Sequence, residues 1–459
     1  MRGEQLVRRP VSKLANHLGI NKTLLVTPSV YDVLVIGCGP GGSSAATFLA
    51  HAGRRVLVLE KEVFPRFHIG ESLLPCNMTI FREMGVLPAL QAAGFPEKFG
   101  ARFELGNESV ATRFVFREGK FNREPQAIQV ERSKFDHILL KHARSSGADV
   151  REGWSVVKFD SDAEGVNLEA RDPEGKTHQF RASYLIDASG RGNLTGNQEN
   201  LREMHPKWKK LAIFGHFENV RRDAGEADGD TVIVRLENKW FWVIPISADK
   251  TSVGLVIDKD EFAQSEGTPE EIFNRWVESS SAVKERMQKA RRVNTIQTTT
   301  DFSYYNRSLI SHRLLRVGDA AGFVDPIFSA GVFLAMWSGK IAAEVTLASL
   351  AEGKPNLRHF ADYEKRVRKG LMFYWHVVEN YYTTPFMELF LQPRKHHDLP
   401  SAVNAVLAGE LEGSWRLRWR LKYFFLLVKL QKHWPLVPRI SFAPRRAKKV
   451  NVTEGTSKN

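Results

Sequence analysis

Apolar and polar positions follow two rhythms along this chain. Near the start come short, mostly apolar runs, Tyr31 to Ile36 and Arg55 to Leu59, with small residues from Ser43 to Ala52 between them. Runs of that length read as strands covered on both faces, and the small residues as a helix able to lie flat on a sheet. Further on the period becomes two. Thr231 to Arg235, Trp240 to Pro245 and Thr251 to Ile257 alternate with turn-rich pieces, as a small covering sheet does. In the middle strand Trp240, Trp242 and Ile244 share one face, and aromatic and β-branched residues favour strands in any case. An apolar run returns at Leu314 to Val317, and the pattern after about position 350 is helical.

The turns between these runs carry the chemistry. Gly37-Cys38-Gly39-Pro40-Gly41-Gly42 follows the first strand at once. Gly37 permits a tight turn, Gly39 lets backbone approach a pyrophosphate, and Gly42 lets helix and strand pack closely, with the diphosphate at the helix N-terminus. Glu60 ends the second strand about 20 residues beyond, where an acid accepts a ribose hydroxyl. Strand, loop, helix, strand and acid in register predict a dinucleotide site.

Three later segments select FAD over NAD by resemblance. Leu314 to Gly322, containing Gly318-Asp319, is similar to the second fingerprint of the para-hydroxybenzoate hydroxylase-like flavoproteins, whose Asp holds the ribityl chain. Tyr184 to Arg191 resembles their middle motif, and Arg132-Ser133-Lys134-Phe135-Asp136 their RxxFD run at the cofactor. Three more segments resemble flavin-dependent halogenases: Phe64 to Pro75 (FPRxxIGES, containing Arg66), Phe323 to Gly331 (FxxPxxSxG) and Trp240 to Pro245 (WxWxIP). The likeness runs from Tyr31 to Leu350.

The resemblance implies an α/β, Rossmann-like FAD-binding domain of the para-hydroxybenzoate hydroxylase-like type, with an inserted β-sheet substrate region and a helical C-terminal region. The expected divisions are 30–210 and 293–350 for the discontinuous FAD domain, 211–292 for the β-rich insert and 351–444 for the helical region. Residues 1–29 are expected to form an extension and 445–459 a polar, disordered tail. Implied activity is halogenation of an electron-rich ring by FAD, reduced by a separate flavin reductase, with oxygen and chloride or bromide. Gly37, Gly39, Gly42, Glu60, Arg66, Arg132 and Asp319 would hold the cofactor. Ala330 and Gly331 amides, opening a helix, would bind halide, with Pro326 fixing the approach of the chain and Ser329 shaping the turn. Trp240 and Trp242 would keep the organic substrate from the flavin.

Lys98 is the implied catalytic residue, because Gly94 to Phe103 resembles the GFxxKxGAxF segment of the phenolic branch. Its amine would hold or carry the electrophilic halogen, and partial desolvation would lower its pKa. Phe328 would help shape the active site, and it stands where tryptophan halogenases carry a glutamate, which points to a phenol or pyrrole-like ring activated by its own heteroatom. His68 and His216 receive no role. A geranylgeranyl-reductase-like enzyme acting on isoprenoid double bonds is the alternative reading.

Composition adds three constraints. With 459 residues, 42% of them hydrophobic, the chain can bury a large core in more than one domain. Cys38 and Cys76 are the only cysteines, giving neither a disulfide framework nor a metal cluster. No apolar run of roughly 18 residues suggests a membrane span or a secretory signal, so the cytoplasm is expected. The net charge of +14 concentrates near the C-terminus, where Trp415 to Lys429 mixes aromatics, aliphatics and cations at helical spacing. That segment reads as a helix packed on the flavin domain with its cations in water. The same composition suits an anionic membrane or an acidic carrier protein, whereas no recognition fold points to nucleic acid.

Overall fold

The computed structural model describes residues 31–442 except 108–109, 207–208, 301–302 and 394–395; the expected extension and polar tail lie outside the described residues. A six-stranded sheet organises the first half of the fold. Its order is Ile310–Ser311, Leu314–Arg316, Tyr184–Asp187, Val33–Ile36, Val56–Glu60, Asp149–Glu152. The inner pairs are parallel and in register, Val33 beside both Tyr184 and Val56, so Ile36, Leu59 and Asp187 align at the C-terminal ends. Ligands bind at that edge of open α/β sheets. The apolar runs are fully covered, as their lack of alternation predicts.

Pro40–His51 forms the helix after the glycine loop and packs on Gly331–Ala351, a second helix of small residues. A Cβ on Gly339 would lie 2.4 Å from the Gly41 carbonyl oxygen, so the two backbones approach as closely as glycine allows. By length and composition Gly331–Ala351 could cross a membrane, which the reading of apolar runs missed; here it is a core helix.

An eight-stranded sheet covers the other side of the site. It runs Arg291–Arg292, Lys210–Glu218, Lys250–Asp258, Trp240–Pro245, Thr231–Arg235, Gly100–Leu105, Ala111–Val115, and Gln297–Thr300 also pairs with Lys210–Glu218. Period-two patterning divides its faces. Trp240, Trp242 and Ile244 join the main core, while Phe241 and Val243 pack with Ile272, Phe273 and Val277 of helix Pro269–Ser279.

This sheet departs from the expected insert of 211–292. Gly100–Leu105 pairs in parallel with Thr231–Arg235, Ala101 beside Thr231, so two strands assigned to the FAD domain belong to the covering sheet. Gln297–Thr300, also assigned there, extends it from the other end. Parallel pairing across more than a hundred residues leaves no local signal, because neither strand has a hairpin turn to its partner. The insert is also less purely β than expected, with helices Lys259–Gln264, Pro269–Ser279 and Ser281–Met287 backing the sheet. After the core helix come Leu357–Tyr381, Thr384–Leu391, Leu399–Ala408 and Trp415–Gln431.

Candidate functional site

A cavity of about 610 Å³ lies where the parallel sheet ends meet the covering sheet. Gly37, Gly39 and Gly41 form one wall. Gly37 has φ +88°, the left-handed region glycine favours, and a Cβ there would meet the Ala188 carbonyl oxygen at 2.5 Å. At Gly42 a Cβ would stand 2.0 Å from the Gly37 carbonyl oxygen, so that glycine serves the fold of the loop. Gly39 differs: its Cβ would meet only the Arg66 guanidinium, at 3.8 Å, with the cavity beyond. The space left open at Gly39 is a cradle for a ligand. Glu60 closes the loop by accepting the Cys38 amide at 2.7 Å and the Glu62 amide at 2.9 Å, and it lines the same cavity.

Two arginines border the cavity on one buried acid. Arg132 Nε and Nη2 donate to both Asp136 oxygens at 2.8 and 2.9 Å, and Arg66 Nη1 donates to Asp136 at 2.9 Å. Burial alone would raise the Asp136 carboxyl, but the two guanidiniums hold it below the usual carboxylate range. Arg132 also donates to the Ile69 and Gly70 carbonyls, fixing the segment that leads to Glu71 and Ser72. Asp319 lines the opposite wall, and burial pushes its carboxyl up to about 6 against the pull of Arg191 and Arg132.

Trp240, Trp242, Ile233, Ile244 and Ala212 form the apolar wall. Trp242 is seated by its partner strand: Nε1 donates to Ser252 at 3.0 Å, and the ring lies over Gly254, where a Cβ would stand 2.2 Å from it. Trp240 Nε1 donates at 2.9 Å to the Tyr382 hydroxyl, which in turn donates at 2.8 Å to Asp325 in the turn before Pro326. Pro326, Ser329 and Gly331 line the cavity, and Ser329 takes φ +56° at the end of the turn. Ala330 is not among the cavity residues. With Gly331 it borders an adjoining space of about 10 Å³, walled also by Asp325, Phe328 and Tyr374.

Phe328 does not shape the large cavity as expected. Its ring packs among Phe103, Tyr381 and Phe390 at 5.5 to 6.4 Å, on the far side of the turn. Lys98 is likewise outside the cavity lining. It is 2% exposed, and Nζ donates to Ser72 Oγ at 2.8 Å and to the Leu73 carbonyl at 2.9 Å. Ser72 is itself a lining residue, so the amine stands one hydroxyl behind the wall. Burial lowers its pKa to about 7 despite the opposing charge of Asp230.

Several lining groups were not singled out from the sequence. Arg191 donates to Thr299 Oγ1 at 2.6 Å across the mouth. Glu71 Oε1 pairs with His216 Nε2 at 2.7 Å, while Oε2 is buried with no partner among the described residues. Arg191, Glu71 and Ser72 sat inside quoted motifs; the pairing of Glu71 with a histidine 145 residues away had no local signal. His68 also lines the cavity, and burial pushes its pKa down to about 3.

FAD fits these residues. The open cradle at Gly39, the acids at Glu60 and Asp319, the cations at Arg66 and Arg132 and the orphan Glu71 oxygen match a diphosphate with polyol and ring donors. Among the described residues no cluster suited to a metal occurs, and both cysteines are buried and free.

Comparison with known proteins gives the same assignment. The family model described as an FAD binding domain matches residues 30–376. A 1H-pyrrole-2-carbonyl-[peptidyl-carrier protein] chlorinase of Pseudomonas fluorescens is 34% identical over 374 residues, 77% of this chain and 83% of that protein. A tryptophan 2-halogenase of Chondromyces crocatus is 33% identical, over 76% and 67% of the two chains, so the relatives' names alone do not separate indole from pyrrole. Among solved structures, a flavin-dependent brominase superposes with TM-score 0.78 at 30% identity, over 87% of this chain and all of that one. A flavoprotein/dehydrogenase from Cytophaga hutchinsonii superposes with TM-score 0.81 at 30% identity, over 88% and 98%. With a glycine cradle, paired tryptophans and a buried lysine on one FAD-binding fold, this chain belongs to the flavin-dependent halogenases of the FAD-binding-domain family.

Proposed function

We propose that this halogenase acts on an electron-rich ring of the pyrrole or phenol type, free or tethered to a carrier protein, and receives reduced FAD from a separate flavin reductase. The observation that carries the reading is Lys98, a buried amine held against a cavity-lining serine. When bound, reduced FAD with oxygen supplies the two-electron oxidation of halide. Arene, halide, dioxygen, reduced flavin and one proton give haloarene, oxidised flavin and two waters.

The chain's own residues do the rest. Trp240 and Trp242 fill the space beside the cofactor cavity and exclude the arene from it, so that halide rather than the ring is oxidised. The Gly331 end of the long core helix offers amides without intrahelical acceptors, which favours an anion. Lys98 spends two N–H groups on Ser72 and Leu73, and near neutral pH its free amine fraction keeps a lone pair for the halogen. Phe328 cannot act as a base, which is why a ring activated by its own oxygen or nitrogen suits the site.

The test is reconstitution with FAD, a flavin reductase, oxygen and bromide, presenting pyrrole, phenol and tryptophan in free form and a carrier-bound pyrrole. Brominated pyrrole or phenol by mass spectrometry is expected. Lys98→Met should keep FAD binding and flavin reoxidation and lose the product, since methionine restores the stem but not the amine. Bromination by that variant at the parent rate would remove Lys98 from the reading; halide-independent turnover of a prenyl substrate would replace it with the isoprenoid-reductase alternative.

A further inference from the structure

The helix Trp415–Gln431 buries Leu417, Leu421, Phe424 and Val428, and its Phe424 ring packs on Phe386 at 5.5 Å. Its outer face is unusual for a helix facing water. Trp415, Trp419, Lys422, Leu426 and Lys429 recur at spacings of four and three, which puts them on one stripe about 20 Å long. Trp415 is 68% exposed, Trp419 48% and Leu426 50%, and Trp434 just past the helix is 64% exposed. Trp415, Trp419 and Trp434 are all the exposed tryptophans among the described residues. Arg416 and Arg418 flank the stripe, and no aspartate or glutamate occurs anywhere between Glu412 and Glu454.

We propose that this face docks on the surface of an anionic phospholipid membrane. Cations alone would explain a solvated face, but water gives no reason to expose three indoles on the cationic surface. An acidic protein partner is the competing occupant. Protein interfaces commonly use charges of both signs to fix register and reject wrong partners, whereas this stretch offers one sign only. A fluid anionic bilayer needs no register. It accepts tryptophan at headgroup depth while lysine and arginine stems reach the phosphates. The inner side of the same helix touches the Phe386 ring, which stacks on Phe390, whose ring in turn packs on Phe328 in the turn before Gly331. Docking therefore places the apolar side of the reaction turn toward the bilayer, whichever ring is halogenated.

The experiment is co-sedimentation of the FAD-loaded protein with vesicles of phosphatidylcholine alone or with about 30 mol % phosphatidylglycerol. Partitioning at least roughly ten-fold stronger to the anionic vesicles is expected, lost by about 0.5 M salt. Trp415→Ser with Trp419→Ser, and separately Lys422→Glu with Lys429→Glu, should each weaken it by roughly five-fold or more. Melting temperature and flavin content report that these exposed substitutions leave the fold intact. Equal binding to both vesicle types, or full binding by the double tryptophan variant, would overturn the proposal. So would a purified acidic carrier protein that binds the wild type and not these variants while the vesicles bind neither.

Discussion

Two glycines in one loop have separable jobs. Gly42 is required by the protein itself, since a methyl group would stand 2.0 Å from the Gly37 carbonyl oxygen; at Gly39 the fold makes no such demand, since its Cβ has only the Arg66 guanidinium at 3.8 Å, and on the proposed reading the glycine is kept for the ligand. Gly42→Ala should therefore lower the melting temperature of the FAD-free protein, whereas Gly39→Val should fold like the parent and take up no FAD. Differential scanning fluorimetry and the flavin absorbance band measure both, and a Gly39→Val protein that is yellow after desalting would contradict the cradle. Lys98 yields a prediction of a different kind. Its amine titrates at about 7 in the fold against 10.5 ordinarily, so between those pH values the unfolded chain holds a proton that the folded chain lacks. Stability then rises with pH across that window, and the cost of burying Lys98 is fully present below about 7. Lys98→Met removes the cost, of order 1.4 kcal/mol for each unit of displacement, and gives back about 1 kcal/mol for each hydrogen bond lost at Ser72 and Leu73. Relative to wild type, the variant should look more stable at pH 6 than at pH 9 in urea titrations; a difference constant with pH would place the amine in contact with water. The glycines and Lys98 were legible as residues. That Ser72 stands between Lys98 and the cavity was not, because the contact joins segments 26 residues apart that share no periodic pattern.

At the scale of elements, the strand Trp240–Pro245 is positioned from both sides. Gly254 on the adjacent strand makes room for the Trp242 ring, and Tyr382 at the end of helix Leu357–Tyr381 ties Trp240 to Asp325. Period-two alternation disclosed which strand residues face the cavity, since the sheet's two faces pack on different cores. It could not disclose Gly254 as a seat for Trp242, nor the parallel pairing of the neighbouring strand Thr231–Arg235 with Gly100–Leu105, because both depend on strand register set by the whole sheet. Gly254→Ala should drive the Trp242 ring toward the cavity at a folding cost of about 1–3 kcal/mol. Its FAD dissociation constant, read by flavin fluorescence, should rise. More of the reduced flavin consumed should appear as hydrogen peroxide per halogenated product, because a displaced apolar wall admits water to the cofactor cavity. Unchanged affinity and an unchanged peroxide ratio would show that the ring relaxes elsewhere.

The cofactor cavity is where three layers of the molecule meet. Ile36, Glu60 and Ala188 reach it from the parallel sheet, Ala212, Ile233 and Trp242 from the covering sheet, and Gly331 and Ala335 from the long core helix. The sequence showed each of these pieces apart, as fingerprints along the chain, but the covering sheet is assembled from strands between Gly100 and Thr300, and no fragment of the chain closes the cavity alone. A ligand held by all three layers must therefore stabilise the fold as a unit. At a free FAD concentration of 100 times its dissociation constant, linkage adds about 2.7 kcal/mol. The melting transition should move up by a few degrees and stay single, with both sheets melting together whether followed by tryptophan fluorescence or by circular dichroism. Gly39→Val should show no such shift at any FAD concentration, which separates specific occupancy from nonspecific flavin effects. Two transitions, only one of them moved by FAD, would mean that the covering sheet folds independently of the nucleotide-binding layer and that the cavity is a hinge between separate units.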